Sequence, residues 1–392
     1  MRLLFAVVLC ALLAAFPGPV AGAPISQTNA RDWPIANGHF YTQATLRADV
    51  GFAVTNNDNL PFWNTYRQLG GPASLGYPIS RRFEFAGVIM QVFERGLLQG
   101  PQGGGPVEVT NVMDLFSQLG RDEWLFTTYA IPRPLPPEFD GGRSWEQIVS
   151  IRQELLERSE PIKNKYFSVP SPVQLWGVPT SNVDDFSTHV TVRLQRGVLQ
   201  QWKTDVPWAK AGEVTNATIG VVFKNSGLVR PTEQWQPEAA PPAVAPAPEA
   251  SGPPDIATLP TGRRWIDVNV STQRATAMVD DTPVFVALVT TGKPGYETPL
   301  GTFRINSRVF NETMDSTSLG VPRNSSEGYL LRNVYFTQYF LAGGYAIHSN
   351  YWQPREVFGN RPTSHGCVGL LYDDAKFFWE FASYGTEITI HR

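Results

Sequence analysis

The chain has 392 residues, of which 42% are hydrophobic, 12% aromatic and 17% charged, which is too apolar and aromatic for a disordered chain and long enough for about two to three domains. The formal charge is −3, with Lys and Arg scattered along the chain, so no basic stripe exists to neutralise a phosphate backbone and nucleic acid is not an expected partner. The 34 Gly and 33 Pro favour loop-rich β structure and exclude a coiled coil.

At the start, Met1-Arg2, an apolar run over residues 3–16 and Pro19-Val20-Ala21-Gly22-Ala23 read as a secretory signal peptide, residues 1–22. The apolar core is shorter than the roughly 20 residues of a membrane span, and no later stretch is long and apolar enough to cross. The mature protein is therefore expected to be secreted into the cell envelope without a membrane span. Cys10 lies inside the signal and leaves with it, so Cys367 becomes the single cysteine of an exported chain. In a compartment where thiols tend to be paired, an unpaired cysteine needs a reason.

Residues 23–236 repeat themselves. Gly76-Tyr77-Pro78-Ile79-Ser80 is followed by Phe93-Glu94-Arg95-Gly96-Leu97-Leu98-Gln99. Gly177-Val178-Pro179-Thr180-Ser181 is followed at the same spacing by Leu194-Gln195-Arg196-Gly197-Val198-Leu199-Gln200. Each copy, with cores at about 60–100 and 165–201, predicts a Gly-x-Pro turn, a strand, a reversal and a second strand closed by Arg-Gly and an apolar pair. Pro61 in a first turn and Gly70 just past an apolar-periodic run predict a short helix between them. Ser144-Trp145-Glu146-Gln147 reads as a capping box opening a second helix, with Ile148, Ile151 and Leu155 on its apolar face. Through Leu75-Gly76-Tyr77-Pro78 and, less faithfully, Trp176-Gly177-Val178-Pro179, the region resembles LGFP-type repeats of secreted cell-envelope proteins. That resemblance implies association with the cell wall.

Residues 237–260 are nearly all Pro, Ala and Glu, too poor in apolar side chains to build a core, and predict an extended, semi-rigid linker. The C-terminal domain, 261–392, opens with alternating apolar residues over 265–270, 275–278 and 284–289. A further strand is predicted within 298–305 and a helix over 373–382. The fold class expected for the whole chain is mainly β: a β-rich repeat region with short helices, the linker, and a β-sandwich-like C-terminal domain.

Near the end stand His348-Ser349 and, with fifteen residues between His348 and Ser364, the run Ser364-His365-Gly366-Cys367. A thiol of ordinary pKa is only a few per cent thiolate at neutral pH, and a nearby imidazole is the usual means of activating it. Gly366 before the cysteine allows close approach of backbone to substrate, with amide N–H groups placed to receive an oxyanion. A zinc site would need a fourth ligand at metal spacing, and none is visible; no cofactor is expected. His39, His189 and His391 read as structural.

This constellation resembles the L,D-transpeptidase catalytic domain, and the mycobacterial-type enzymes in particular, over about residues 263–392. Thr313-Met314-Asp315-Ser316, Glu327-Gly328-Tyr329 and His348-Ser349-Asn350-Tyr351-Trp352 carry the likeness further. The resemblance implies Cys367 as nucleophile, His348 as its base, the Ser349 carbonyl as the group orienting that base, His365 in a supporting place, and Gly366 and Cys367 amides in the oxyanion hole. It places Met314, Tyr329, Trp352 and Ser364 at the donor peptide, with Lys293 as a further contact. Gly369 stands where the family commonly has Asn or Arg, which is expected to widen the pocket beside the cysteine. The implied partners are donor and acceptor stem peptides of peptidoglycan, and carbapenems are implied as covalent inhibitors. An L,D-carboxypeptidase, an enzyme anchoring proteins to the wall and a non-catalytic wall-binding scaffold are the alternatives.

Overall fold

The computed structural model describes residues 31–45, 47, 49–230, 232–243 and 252–392; the expected signal peptide and Cys10 lie outside them. Among the described residues the chain is mainly β, with four sheets and short helices. The first sheet joins Asp32–Ile35, Gly38–Tyr41 and Val50–Thr55 to Glu238–Ala239, which pairs with Gly51 and Val50 from the start of the expected linker. Trp33 Nε1 also donates to the Pro241 carbonyl at 3.0 Å. These residues of the Pro-rich stretch are therefore pinned to the N-terminal half.

Both sequence repeats become four-stranded antiparallel sheets. One comprises Phe83–Phe85, Val88–Phe93, Gly96–Pro101 and Glu108–Val109; the other comprises Asp184–Asp185, His189–Arg193, Val198–Trp202 and Val214–Asn216. Here the expectation needs correcting: Arg-Gly does not close a strand but forms the reversal into the next one, and the apolar pair after it lies inside that strand. The reason for the common spacing is a shared lock. Gly76 and Gly177 adopt φ of +75° and +70°, a conformation that L side chains resist. In each copy the side chain eighteen residues later, Glu94 or Gln195, accepts the next backbone N–H, that of Tyr77 or Val178, at 3.1 Å. Tyr66 and Tyr166 then donate their hydroxyls to the Gly76 and Gly177 carbonyls at 2.7 and 2.9 Å.

The two copies also interlock. The helix following the first, Val112–Gln118, donates from Met113 N to the Gln195 carbonyl of the second, and the helix following the second, Ile219–Asn225, donates from Gly220 N to the Glu94 carbonyl of the first. Buried Val92, Leu97, Phe116, Val198, Ile219 and Phe223 form one core from both copies. Neither copy buries its apolar face alone.

The predicted helices form as Phe62–Gln68, Trp145–Glu154 and Tyr372–Phe381. At Ser144 the capping box is complete, Gln147 N donating to Ser144 Oγ and Ser144 N to Gln147 Oε1. Its packed face differs from the expected one: Gln147, Val149, Ser150 and Gln153 are buried, whereas Ile148, Ile151 and Leu155 stay partly exposed. The face is set instead by Val149, which packs into the cluster with Val173, Val178, Leu331 and Val334.

In the C-terminal domain one nine-stranded sheet curls over the Tyr372–Phe381 helix. Its order is Gly301–Arg304, Glu387–His391, Arg264–Asn269, Arg274–Val279, Thr282–Thr290, Val368–Leu370, Tyr345–Ser349, Leu330–Leu341 and Ser307–Asp315. Thr282–Thr290 passes between the two halves of the curl, pairing with Arg274–Val279 along most of its length and with Val368–Leu370 through Val289 and Thr290. Ile266, Val268, Val289, Val368, Phe378 and Ile388 fill the interior, and Ile256 and Leu259, from the end of the expected linker, pack against it. A separate cluster spans the halves: Val149, Val173 and Val178 lie against Leu331, Val334, Tyr351 and Trp352.

Candidate active site

His348 and Cys367, nineteen positions apart in sequence, are brought side by side by a parallel strand pair. Tyr345–Ser349 runs beside Val368–Leu370 with Ile347 opposite Val368 and His348 opposite Gly369, so the imidazole stands near the end of one strand and the thiol just before the start of the other. Both line one cavity of about 220 Å³. Alternation along Tyr345–Ser349 is suppressed, with Ala346 to Ser349 all buried, because this strand lies within the curl of the sheet.

The imidazole is held in one tautomer. Nδ1 lies 2.9 Å from the Ser349 carbonyl, and since a carbonyl only accepts, Nδ1 carries the proton and Nε2 the lone pair. The ring is 2% exposed and stacks on Trp352 at 5.7 Å with planes 20° apart. Burial pushes its pKa down to about 4, against the opposite pull of the Ser349 carbonyl, so the ring is neutral at physiological pH. Cys367 keeps some exposure to the cavity, yet the surrounding protein pushes its thiol up to about 11. Its Sγ donates to the Gly344 carbonyl at 3.3 Å. The resting pair is thus a neutral thiol beside a neutral imidazole, not a thiolate–imidazolium pair.

Of the other expected site residues, Met314, Tyr329, Trp352, Ser364 and His365 line the same cavity. The Ser349 carbonyl meets His348 Nδ1, and the Ser349 hydroxyl accepts from Tyr335 N at 2.9 Å. Gly366 departs from expectation. Its φ is +115° and a Cβ there would meet the Tyr345 ring at 2.6 Å, which explains the glycine, but its N–H is already donated to Ser364 Oγ at 3.1 Å. Ser364 Oγ in turn donates to the Cys367 carbonyl at 2.6 Å. The Gly366 amide therefore braces the turn and is not free for an oxyanion.

Lys293 is also corrected: it is off the cavity wall and forms an ion pair with Glu327. Glu327 also meets His365 Nε2 at 3.0 Å. Burial alone would raise the Glu327 carboxyl, but Lys293 and His365 hold it below the usual carboxylate range. His365 is lowered by burial and by the Lys293 charge, and its ring lies against Tyr296 and Tyr329 at 4.5 and 5.2 Å. Nor does Gly369 widen the pocket. It is buried, and a Cβ on it would lie 2.7 Å from Asn350 Nδ2, so the space that a side chain at 369 would fill is taken by Asn350, itself on the cavity wall.

Sequence reasoning missed Glu146, Glu312, Tyr339, Asn350 and Gln353, all on this wall. Asn350 stood in a quoted motif and Gln353 directly after it, and both were passed over; Glu146 was read only as part of a capping box, and Glu312 and Tyr339 carry no local signal. His39, His189 and His391 lie elsewhere, against Asp32, Thr188 with Gln200, and Asp267.

Residues 263–390 match the family model of YkuD, the L,D-transpeptidase catalytic domain. L,D-transpeptidase 1 of Mycobacterium tuberculosis is 36% identical over 99 residues, which are 25% of this chain and 39% of that protein. L,D-transpeptidase 2 of the same species is 31% identical over 99 residues, 25% of this chain and 24% of that protein. Among solved structures, an L,D-transpeptidase from Mycobacterium smegmatis aligns at 28% identity with a TM-score of 0.32, covering 33% of this chain and 59% of that chain. The match thus spans less than two thirds of each of these relatives and leaves the N-terminal half of the present chain outside it.

Proposed function

We propose that the protein is an exported L,D-transpeptidase that cross-links peptidoglycan. Cys367 Sγ attacks the carbonyl at the L-centre of the diamino acid in a donor stem tetrapeptide. Its proton passes to His348 Nε2 and then to the leaving terminal D-alanine amine, and a thioester forms. A side-chain amine of a neighbouring stem attacks that thioester, loses its proton to the same imidazole and regenerates the thiol. The energy of the broken amide is kept in the thioester, so neither ATP nor a cofactor is required.

The observation that supports this reading best is the tautomer of His348. With Nδ1–H held by the Ser349 carbonyl, the only lone pair of the ring is on Nε2, in the cavity that also holds Cys367. Because the resting thiol is neutral and bonded to the Gly344 carbonyl, the base must act during attack; an imidazole kept neutral is suited to that. Association of residues 23–236 with the cell wall belongs to the same reading, and co-sedimentation of that region with isolated wall, against a control protein, tests it.

Mass spectrometry of purified muropeptides incubated with the protein separates cross-linked dimers from trimmed monomers. Dimers are expected from the wild type and none from Cys367→Ala, which changes little volume and leaves the fold intact. A carbapenem should also leave an adduct on Cys367, because the opened ring keeps its leaving group tethered. Turnover by Cys367→Ala, or the same mass shift in that variant, would remove the assignment; monomer trimming alone would make the protein an L,D-carboxypeptidase.

A further inference from the structure

The wall of the Cys367 cavity is not built by the C-terminal domain alone. The helix Trp145–Glu154 of the N-terminal half sets its first turn on it. Trp145 Nε1 donates to the Trp352 carbonyl at 2.6 Å. Gln147, already used in the capping box, donates through Nε2 to the Ser325 carbonyl. Between them, Glu146 presents its carboxylate to the cavity, accepting from Gln353 Nε2 at 2.5 Å.

The charges on this wall do not balance. Asp315 is paired with Arg323 and, just outside the wall, Glu327 with Lys293. Glu146 and Glu312 are different: among the described residues neither has an ion-pair partner, and their hydrogen-bond donors are the neutral amide of Gln353 and the neutral hydroxyl of Tyr339, the latter at 2.9 and 3.0 Å. An independent feature points to a ligand in the same place. Asn350 is 1% exposed and lines the cavity; its Oδ1 accepts from Gln353 N at 3.2 Å, while among the described residues its Nδ2 has no hydrogen-bond partner. A donor of so buried a residue that opens on a cavity is satisfied by whatever occupies that cavity, water or ligand. The wall therefore offers a polar substrate one donor and two carboxylates without cations.

We propose that Glu146, supplied by the N-terminal half, is a specificity residue of the Cys367 site and that with Glu312 it selects substrates carrying a primary ammonium group beside the reacting carbonyl or on the incoming amine. The proposal rests on the transpeptidase reading for the identity of the substrate, a stem peptide, but not for the charge preference. In a cavity walled by protein an unpaired carboxylate attracts a cation more strongly than it does at the open surface. The N-terminal half is then part of the active site rather than a spacer that carries it.

The test uses the full chain and Glu146→Gln, which keeps the acceptor oxygen for Gln353 and removes the charge. Methanethiosulfonate reagents bearing an ammonium, a neutral or a sulfonate group report the potential at Cys367 without requiring turnover. The cationic-to-neutral rate ratio is expected to fall about three- to tenfold in the variant. In stem-peptide assays, one arm compares donors with a free or N-acetylated side-chain amine, and the other holds the N-acetylated donor and varies the acceptor amine. A rise of about tenfold in KM in one arm identifies where the ammonium resides, while acylation by a β-lactam lacking an amine is expected to fall by much less. An unchanged rate ratio overturns the proposal, as does KM within twofold of wild type in both arms or an equal loss against the amine-free β-lactam. A protein inert toward every stem peptide, yet showing the altered reagent ratio, would instead remove the transpeptidase reading and keep the charge selection.

Discussion

At the scale of single residues, the site is organised around withheld charge. A thiol pushed up to about 11 and an imidazole pushed down to about 4 are both uncharged across the physiological range. Thiolate content, and with it alkylation of the free enzyme by iodoacetamide, should rise roughly tenfold per pH unit between about pH 7 and 9. The sign follows from the raised thiol: protons leave only as pH climbs toward its pKa, so no plateau forms on the acid side. A rate already level near pH 6 would mean a preformed ion pair and would contradict this account. His348→Ala should slow acylation by a neutral-pH donor by about 10²- to 10⁴-fold, the usual range for a lost general base. His365→Ala, which removes a ring tied to Glu327 and two tyrosines, should cost far less; a stopped-flow comparison of the two variants reads the difference, and the reverse order would exchange their roles.

At the scale of elements, the repeats show why spacing persists where residue identity does not. Glu94 and Gln195 differ in charge, yet each offers a side-chain oxygen at the same distance to the amide after a glycine; geometry, not charge, is the shared requirement. The reciprocal helix contacts are equally specific. A Cβ on Gly220 would lie 1.7 Å from the Phe93 carbonyl oxygen, an overlap that only backbone movement relieves. Gly220→Ala is accordingly expected to destabilise the N-terminal half by about 3 kcal/mol, in the upper range for overpacking. Urea unfolding followed by tryptophan fluorescence measures it, and a change below about 1 kcal/mol would mean that the two copies do not depend on this approach.

For the molecule as a whole, the Pro-rich stretch joins two halves that touch over the site. Val149 is fully buried against Val173, Val178, Leu331 and Val334. Val149→Asp would place a carboxylate without a partner in that cluster, a cost of several kcal/mol. Calorimetry is expected to show the halves melting in two separated transitions in the variant and in closer register in the wild type. Identical profiles would mean that the shared cluster contributes no coupling.

The sequence by itself determined what depends on local chemistry. The capping box at Ser144, the period-two strands of the C-terminal domain and the Ser364-His365-Gly366-Cys367 turn all depend on neighbours close in sequence. So did the pairing of His348 with Cys367, because the fifteen residues between His348 and Ser364 formed a recognisable pattern. The tertiary structure alone decided what depends on long-range approach. It gave the Gly366 amide to Ser364, turned Lys293 to Glu327, filled the space beside Gly369 with Asn350 and brought Glu146 from more than two hundred positions away to the wall of the cavity. Nothing in the local pattern of a glutamate in the first turn of a helix distinguishes a solvated carboxylate from one lining the cavity of a cysteine; only the packing of the two halves against each other makes that difference.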